Sequence, residues 1–414
     1  MGPLPAQQAE LRPFEPTRRG MHEDMASASA LGSSYLIAAR RTALGRPGGL
    51  HRSRRLEDLT APIVLAALQD AQLEARAVEE IILGNTTAGG NPARLVGLAS
   101  GLRESVPALT VDRQCASGLD AILLAMRAVA MGDADVIVAG GAESISTAPW
   151  RIAKPKSLFQ TPRFIGLESD DRDAADASET VAASEELARR LGITRDQQDT
   201  YALHSFLKAE TAQAERRFVG EIVPLKMAGA EARDEHSVTP EIDDLAALAP
   251  LAGPDGTLTS GNTSALQDGA AMAVIVSERK HRELGAPRGL RLMASATEGV
   301  GPGEDARAPV AALQKLLKTS NGAIGGRIGL VELSEASAAQ ALALRNTFDL
   351  DDGELNPDGG AVARGYPLGA SSAVSVVRLF TRLVRAATRP KQTFGAVTQG
   401  AVGGLGVAAL FEAV

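Results

Sequence analysis

Apolar residues recur along this chain in two registers, short unbroken runs of Val, Ile, Leu and Ala, and longer stretches at helical spacing. From Ser33 the run TyrLeuIleAlaAla predicts a strand. A Gly/Pro/Arg loop follows, then a helix opening near Asp58–Pro62 that carries AlaProIleValLeuAlaAlaLeuGln. Pro62 is expected in its first turn, where a missing N–H leaves no bond unmade. Ile81–Leu83 predicts a second strand running into the loop GlyAsnThrThrAlaGlyGlyAsnPro at 84–92, with a helix over Ala93–Leu102 behind it. Leu109, Thr110 and Val111 read as the end of another strand. Beyond Cys115, the residues Leu119, Ile122, Leu123, Met126, Val129 and Ala130 mark one buried helical face as far as about Met131. ValIleValAlaGlyGly (136–141) is the next strand. Unbroken apolar strands alternating with helices predict a parallel sheet covered on both faces.

The second half of the chain repeats this order. AlaProValAlaAlaLeuGlnLys (308–315) echoes residues 61–69, and IleGlyLeuValGluLeu (328–333) takes the place of Ile81–Leu83. TyrProLeuGlyAlaSerSerAlaValSerValValArgLeuPhe (366–380) corresponds to the Cys115 turn and its helix, and PheGlyAlaValThrGln (394–399) to the 136–141 strand. A duplicated unit accounts for this most economically. The expected division is a disordered extension over 1–32 and a first half over 33–149, completed by 256–287. An insertion over 150–255 caps the cleft, and a second half covers 288–414. Residues 256–277 return to the regular pattern with ThrSerGlyAsnThrSer and a further strand, whereas the insertion holds polar helices and an acidic run at 168–173. Two facing halves would gather the Cys115 turn and the loops at 334, 366 and 400 around one cleft, at the carboxyl ends of the strands where ligands bind.

Composition narrows the possible chemistry. A chain of 414 residues has ample core for two or three domain-sized units. Only 3% of it is aromatic, which argues against base-stacking surfaces. A net charge of -7 gives no general attraction to nucleic acid or anionic lipid, and no apolar run reads as a membrane span. The first residues lack a secretory apolar core, so a cytoplasmic location is expected. One cysteine excludes an internal disulfide and a multi-cysteine metal site, and the five histidines show no ligand spacing.

That one cysteine is the candidate nucleophile. Cys115 is expected on the first turn of a helix, where unpaired amides and the macrodipole favour a thiolate. Ser117 and Gly118 beside it are small enough to admit a substrate.

ArgGlnCysAlaSerGlyLeu at 113–119, AlaGlyGlyAlaGluSerIleSer at 139–146, GlyGlyAlaVal and GlyTyrProLeuGlyAlaSer within 359–371, and GlyGlyLeuGlyValAlaAla at 403–409 resemble the thiolase family. The resemblance covers nearly everything after residue 33. It implies an α/β, five-layer αβαβα fold from two duplicated halves with an inserted loop domain that grips coenzyme A. It further implies a homodimer or homotetramer, with the 84–92 loop at the subunit contact. No cofactor is held permanently; a coenzyme A thioester is the substrate, and Cys115 takes its acyl group. The backbone N–H of Val402 stands at the family's second oxyanion-hole position. Asn262, Gly400 and Gly403 are expected to line the substrate.

The likeness is incomplete at the other active positions. The family's GlyHisPro stands as Gly365, Tyr366, Pro367, and its AsnGluAlaPhe as Ser334, Glu335, Ala336, Ser337. A second family cysteine aligns with Gly400, which has no side chain to move a proton on the α-carbon. An aligned general base is worth about two to four powers of ten in rate. Tyr366 is a hydrogen-bond donor but a poor base at neutral pH, and Ser334 is a candidate to hold a water. Glu335 reads as an acceptor for loop amides, and His204 as a surface or packing residue. Two functions remain open from sequence: a thiolase-like acyltransferase that forms acyl-Cys115 from acyl-CoA or an acyl carrier thioester, by thiolase or altered chemistry, or a catalytically silent subunit that binds acyl-CoA or completes a hetero-oligomer.

Overall fold

The computed structural model describes residues 32–165, 178–225, 233–235, 238–301, 303–320, 328–386 and 393–414. All but the last residue of the extension expected over 1–32, and the acidic run at 168–173, lie outside the described residues.

The first half comprises β1 (Ser34–Arg41), α1 (Leu56–Asp70), β2 (Glu80–Gly84), α2 (Pro92–Ala99), β3 (Ala108–Val111), α3 (Ser117–Met131) and β4 (Val136–Glu143). A hairpin of β5 (Arg151–Ala153) and β6 (Arg163–Ile165) opens the insertion, followed by α4 (Ser178–Leu191), α5 (Arg195–Ala214) and α6 (Ile242–Ala246). The chain then returns through β7 (Gly269–Ser277) and α7 (Glu278–Glu283). The second half holds β8 (Leu290–Gly299), α8 (Ala308–Thr319), β9 (Val331–Leu333), α9 (Ala338–Phe348), α10 (Ala361–Arg364), α11 (Ser371–Phe380), β10 (Phe394–Ala401) and β11 (Leu405–Ala413).

Strand order shows the duplication directly. The sequence of neighbours is β3-β2-β4-β7-β1 in one half and β9-β10-β11-β8 in the other, and Leu355 bridges Val331 in parallel where β3 has its counterpart. The two leaves touch edge to edge through two residue pairs, Tyr35 with Arg291 and Leu36 with Leu290. Each leaf carries one reversed strand, so the sheets are mixed rather than parallel throughout. β7 runs antiparallel to β4 and β1, and β11 to β10 and β8. The second reversal is a tight connection through Gly403 and Gly404, both at positive φ, a conformation that glycine adopts without strain.

Side-chain packing sets the layers. Leu119, Ile122, Leu123 and Met126 of α3 and Val376, Val377 and Phe380 of α11 share one core with residues of both sheets. Helices α1 and α2 pack on the outer face of the first sheet through Ile63, Val64, Ala93 and Val96. Helices α8 and α9 cover the second through Val310, Leu313, Ala341 and Leu344. The stack is αβαβα, with α3 and α11 in the middle. A Cβ at Gly118 would stand 2.8 Å from the Cβ of Ala373, so these central helices meet at backbone distance.

Two expectations give way here. Pro62 lies inside α1, which opens earlier, at Leu56, and its ring leaves the Asp58 carbonyl without the amide four residues on. The window Gln114–Met131 is long and apolar enough to cross a membrane by length and composition. Its apolarity instead serves the core, because α3 faces a sheet on either side.

The segment between β4 and β7 is tied to both halves by buried charge. Arg41 of β1 donates to Glu221 at 2.9 Å and to Asp234 at 2.6 and 3.0 Å. Arg378 of α11 donates to Glu221 and to Asp358. Asp358 also accepts from Arg217 at 2.6 Å. Phe218 lies against both guanidinium groups, 5.6 Å from that of Arg41 and 4.7 Å from that of Arg378.

Candidate active site

The backbone turns sharply between β3 and α3. Gln114 adopts φ 50°, a left-handed conformation uncommon outside glycine, and Cys115 follows it. Helix α3 begins at Ser117 with Ala116 as its N-cap, so Cys115 stands just ahead of the helix rather than on its first turn. Its position depends on backbone bonding. The Ser117 hydroxyl accepts from the Arg113 N–H at 2.8 Å and donates to the Gln114 carbonyl at 2.5 Å. The second half closes the turn from the other side. Ser372, at the start of α11, donates to the Cys115 carbonyl at 3.1 Å and accepts from the Leu119 N–H at 2.9 Å. Gly84, at the end of β2, lies directly beneath. A Cβ there would fall 2.5 Å from the Gly118 nitrogen.

Cys115 is buried yet lines a cavity of about 350 Å³. Tyr366, Gly400 and Val402 line the same cavity, and Cys115 and Tyr366 share a small apolar cluster with Ala361 and Leu368. Three of the sequence candidates do not line it. Ser334 is buried, and its carbonyl accepts from Gln399 at 3.2 Å. Gly403 forms the β10–β11 turn. Asn262 is engaged by its own loop and by α5. Its amide donates to Asp199 at 2.8 Å and to the Thr257 carbonyl at 3.1 Å, while its oxygen accepts from the Thr259 N–H at 2.8 Å. The neighbours Thr263 and Ser264 face the cavity instead.

Several lining residues were not read from sequence. Thr180 and Ser184 of α4 and Ser337 and Gln340 at the start of α9 contribute polar groups. Ser337 caps α9 by accepting from the Gln340 N–H at 3.3 Å and donates to Ser184 at 3.2 Å. Gln340 accepts from the Ala336 N–H at 3.0 Å and donates to the Ala306 carbonyl at 3.2 Å. A Ser with Gln three positions on is a helix-start signal that could have located this wall. Gln399, on β10, is fully buried behind Tyr366. Its amide nitrogen lies 2.8 Å from the Tyr366 hydroxyl, 2.8 Å from the Gly400 carbonyl and 3.2 Å from that of Ser334. His204 is exposed on α5, 3.7 Å from Asp352.

Three buried carboxyl groups flank the site and differ in their company. Glu335 accepts from Asn356 at 2.8 Å and from the Val362 N–H at 3.2 Å, although burial still raises its pKa. Glu143 collects the amides of Thr86, Thr87 and Gly369, the Asn85 side chain and the Thr87 hydroxyl, which join the 84–92 loop to the segment after Tyr366. Glu332 is different. Neither of its oxygens has a hydrogen-bond partner among the described residues, and Arg364 stands 3.9 Å away.

Burial pushes Glu332 up to about 7, so folding favours its protonated form. The stability this contributes is complete below the ordinary glutamate pKa and is lost as pH rises through about 7. Glu332→Gln removes the titration. Its stability relative to the unsubstituted chain is expected to shift in the variant's favour by roughly 3 kcal/mol between about pH 4.5 and pH 8. Urea unfolding across that range measures the difference.

Two α/β halves of matching strand order, stacked on a shared helical layer with a buried cysteine at the strand-to-helix turn of the first, define an α/β class with one composite cleft. Residues 34–279 match the family Thiolase, N-terminal domain, and residues 289–413 match Thiolase, C-terminal domain. The chain belongs to the thiolase family. It is 36% identical over 383 residues to a putative acetyl-CoA C-acetyltransferase, VraB, of Staphylococcus epidermidis, covering 91% of this chain and 97% of the relative. It is also 36% identical to the acetyl-CoA acetyltransferase of Escherichia coli, over 91% of this chain and 98% of that protein. The crystal structure of the Bacillus anthracis acetyl-CoA acetyltransferase superimposes with a TM-score of 0.85 at 31% identity, covering 93% of this chain and 100% of that one.

Proposed function

We propose that this protein is an acyltransferase that takes the acyl group of an acyl-CoA onto Cys115 and passes it to an acceptor. The observation that carries this reading is the opening of the Cys115 turn onto a cavity shared with Tyr366, Gly400 and Val402. The names of its relatives as acetyl-CoA acetyltransferases support the same substrate class. In the first step the Cys115 thiolate attacks the thioester carbonyl, forming a C–S bond and an oxyanion. The backbone N–H groups of Cys115 and Val402 are the donors assigned to that oxyanion, a role independent of side-chain identity. Collapse breaks the bond to coenzyme A, and the departing thiolate takes up the proton that Cys115 released. The acyl-enzyme then awaits its acceptor.

Position 400 bears on the second step. A Cβ there would lie 2.9 Å from the Pro309 ring and 3.2 Å from the Gln340 amide, so the wall is fitted to glycine. An acceptor that needs no base at this position fits best: a carbanion released by decarboxylation, or an oxygen, nitrogen or sulfur nucleophile.

Intact-mass spectrometry after incubation with a panel of acyl-CoAs tests the reading. One acyl group is expected on the chain, and none on Cys115→Ala. Absence of any gain across the panel overturns it.

A further inference from the structure

We infer that Gln399 is a positioning residue that sets Tyr366 as a hydrogen-bond donor toward the acyl site. The inference rests on the acyl-Cys115 reading and adds a part to it.

The argument begins with three contacts on one atom. The carbonyls of Gly400 and Ser334 can only accept, so the Gln399 amide must present its nitrogen to them, at 2.8 and 3.2 Å. That nitrogen has no lone pair to offer. Its two protons are shared among three acceptors, the Gly400 carbonyl and the Tyr366 phenol oxygen at 2.8 Å and the Ser334 carbonyl at 3.2 Å, so in the contact with Tyr366 the phenol oxygen accepts. The proton of Tyr366 is then directed to an acceptor other than Gln399. The ring shares its apolar cluster with Cys115, and the two side chains line one cavity. A donor held there stabilises negative charge developing on the thioester oxygen or the sulfur, and an arrangement fixed beforehand needs no reorganisation during the reaction.

The other end of the amide points the same way. Gln399 is fully buried, and its Oε1 has no hydrogen-bond partner among the described residues. An orphaned buried acceptor is unfavourable to stability. A glutamine serving only to fill space beside an apolar cluster is poorly explained by it. A glutamine serving through its nitrogen is.

The test is a double-mutant cycle on the rate of Cys115 acylation by acetyl-CoA, using Gln399→Met, which keeps length without the donor, and Tyr366→Phe. Each single variant is expected to slow acylation by about tenfold. In the Tyr366→Phe background, Gln399→Met is expected to change the rate less than twofold, because its effect passes through the missing hydroxyl. Equal fold-losses in both backgrounds, or no loss in either single variant, overturn the inference. A second readout does not depend on turnover. The chain has three tyrosines, so tyrosine labelled at the ring carbon bearing oxygen gives three NMR signals, and Tyr366→Phe identifies one. Gln399→Met is expected to move that signal and leave those of Tyr35 and Tyr201 in place. If it does not move, Gln399 does not hold the phenol, whatever the rates. If it moves while the unsubstituted chain forms no acyl-enzyme, the contact stands and the acyl-transfer reading fails.

Discussion

Arg378→Ala is expected to destabilise the fold by about 3–5 kcal/mol, the range for removing one member of a buried ion pair. The guanidinium is completely buried, as are Glu221 and Asp358, the two carboxylates it joins. Without it, Glu221 keeps Arg41 at 2.9 Å and Asp358 keeps Arg217 at 2.6 Å. Each carboxylate still loses its closest cation, and the Phe218 ring loses one of the two guanidinium groups against it. The damage reaches distant parts of the sequence, because the ion pairs of this cluster link α11, residues 217–221 and Asp358. Denaturant unfolding measures the loss. Adding Glu221→Gln and Asp358→Asn to Arg378→Ala is expected to recover part of it, since the neutral groups no longer leave an uncompensated charge in the interior. No recovery would mean that packing, rather than unpaired charge, accounts for the effect.

Gly84→Ala is expected to lower the rate of Cys115 acylation by about a hundredfold or more while leaving the chain folded, a loss on the scale of an ångström misplacement of a reacting group. The added carbon would lie 2.5 Å from the Gly118 nitrogen and 2.6 Å from the Ser117 oxygen. Both belong to backbone, which can yield only by lifting the start of α3, and the Cys115 turn moves with it. Gly299→Ala is the matched control: nothing lies within 4 Å of its added carbon, and it also lies at a strand end. Acylation followed by mass spectrometry compares the two. Equal, small effects in both would show that the turn tolerates displacement.

The architecture was legible because burial leaves a periodic trace. Residues of β4 and β7 are buried along their whole length, and such strands read as unbroken apolar runs. The repeat was legible for the same reason, since each copy must cover the same faces. The Cys115 turn was found to within two residues. It was placed on the helix because a left-handed residue at Gln114 leaves no compositional mark when it is not glycine. Asn262 looked like a ligand contact in a polar loop, yet the partners that engage it, Asp199 and Thr257, come from tertiary folding and a local turn that spacing does not report. Gln399 was overlooked for the converse reason. It sits in a mostly apolar strand, where a polar residue reads as an interruption, and its meaning comes from a tyrosine 33 positions away.

The bonds made by Ser372 have a consequence for dissecting the molecule. The hydroxyl that braces the peptide behind the Cys115 sulfur comes from the other half of the chain, so a fragment ending before β8 would carry the sulfur without its support.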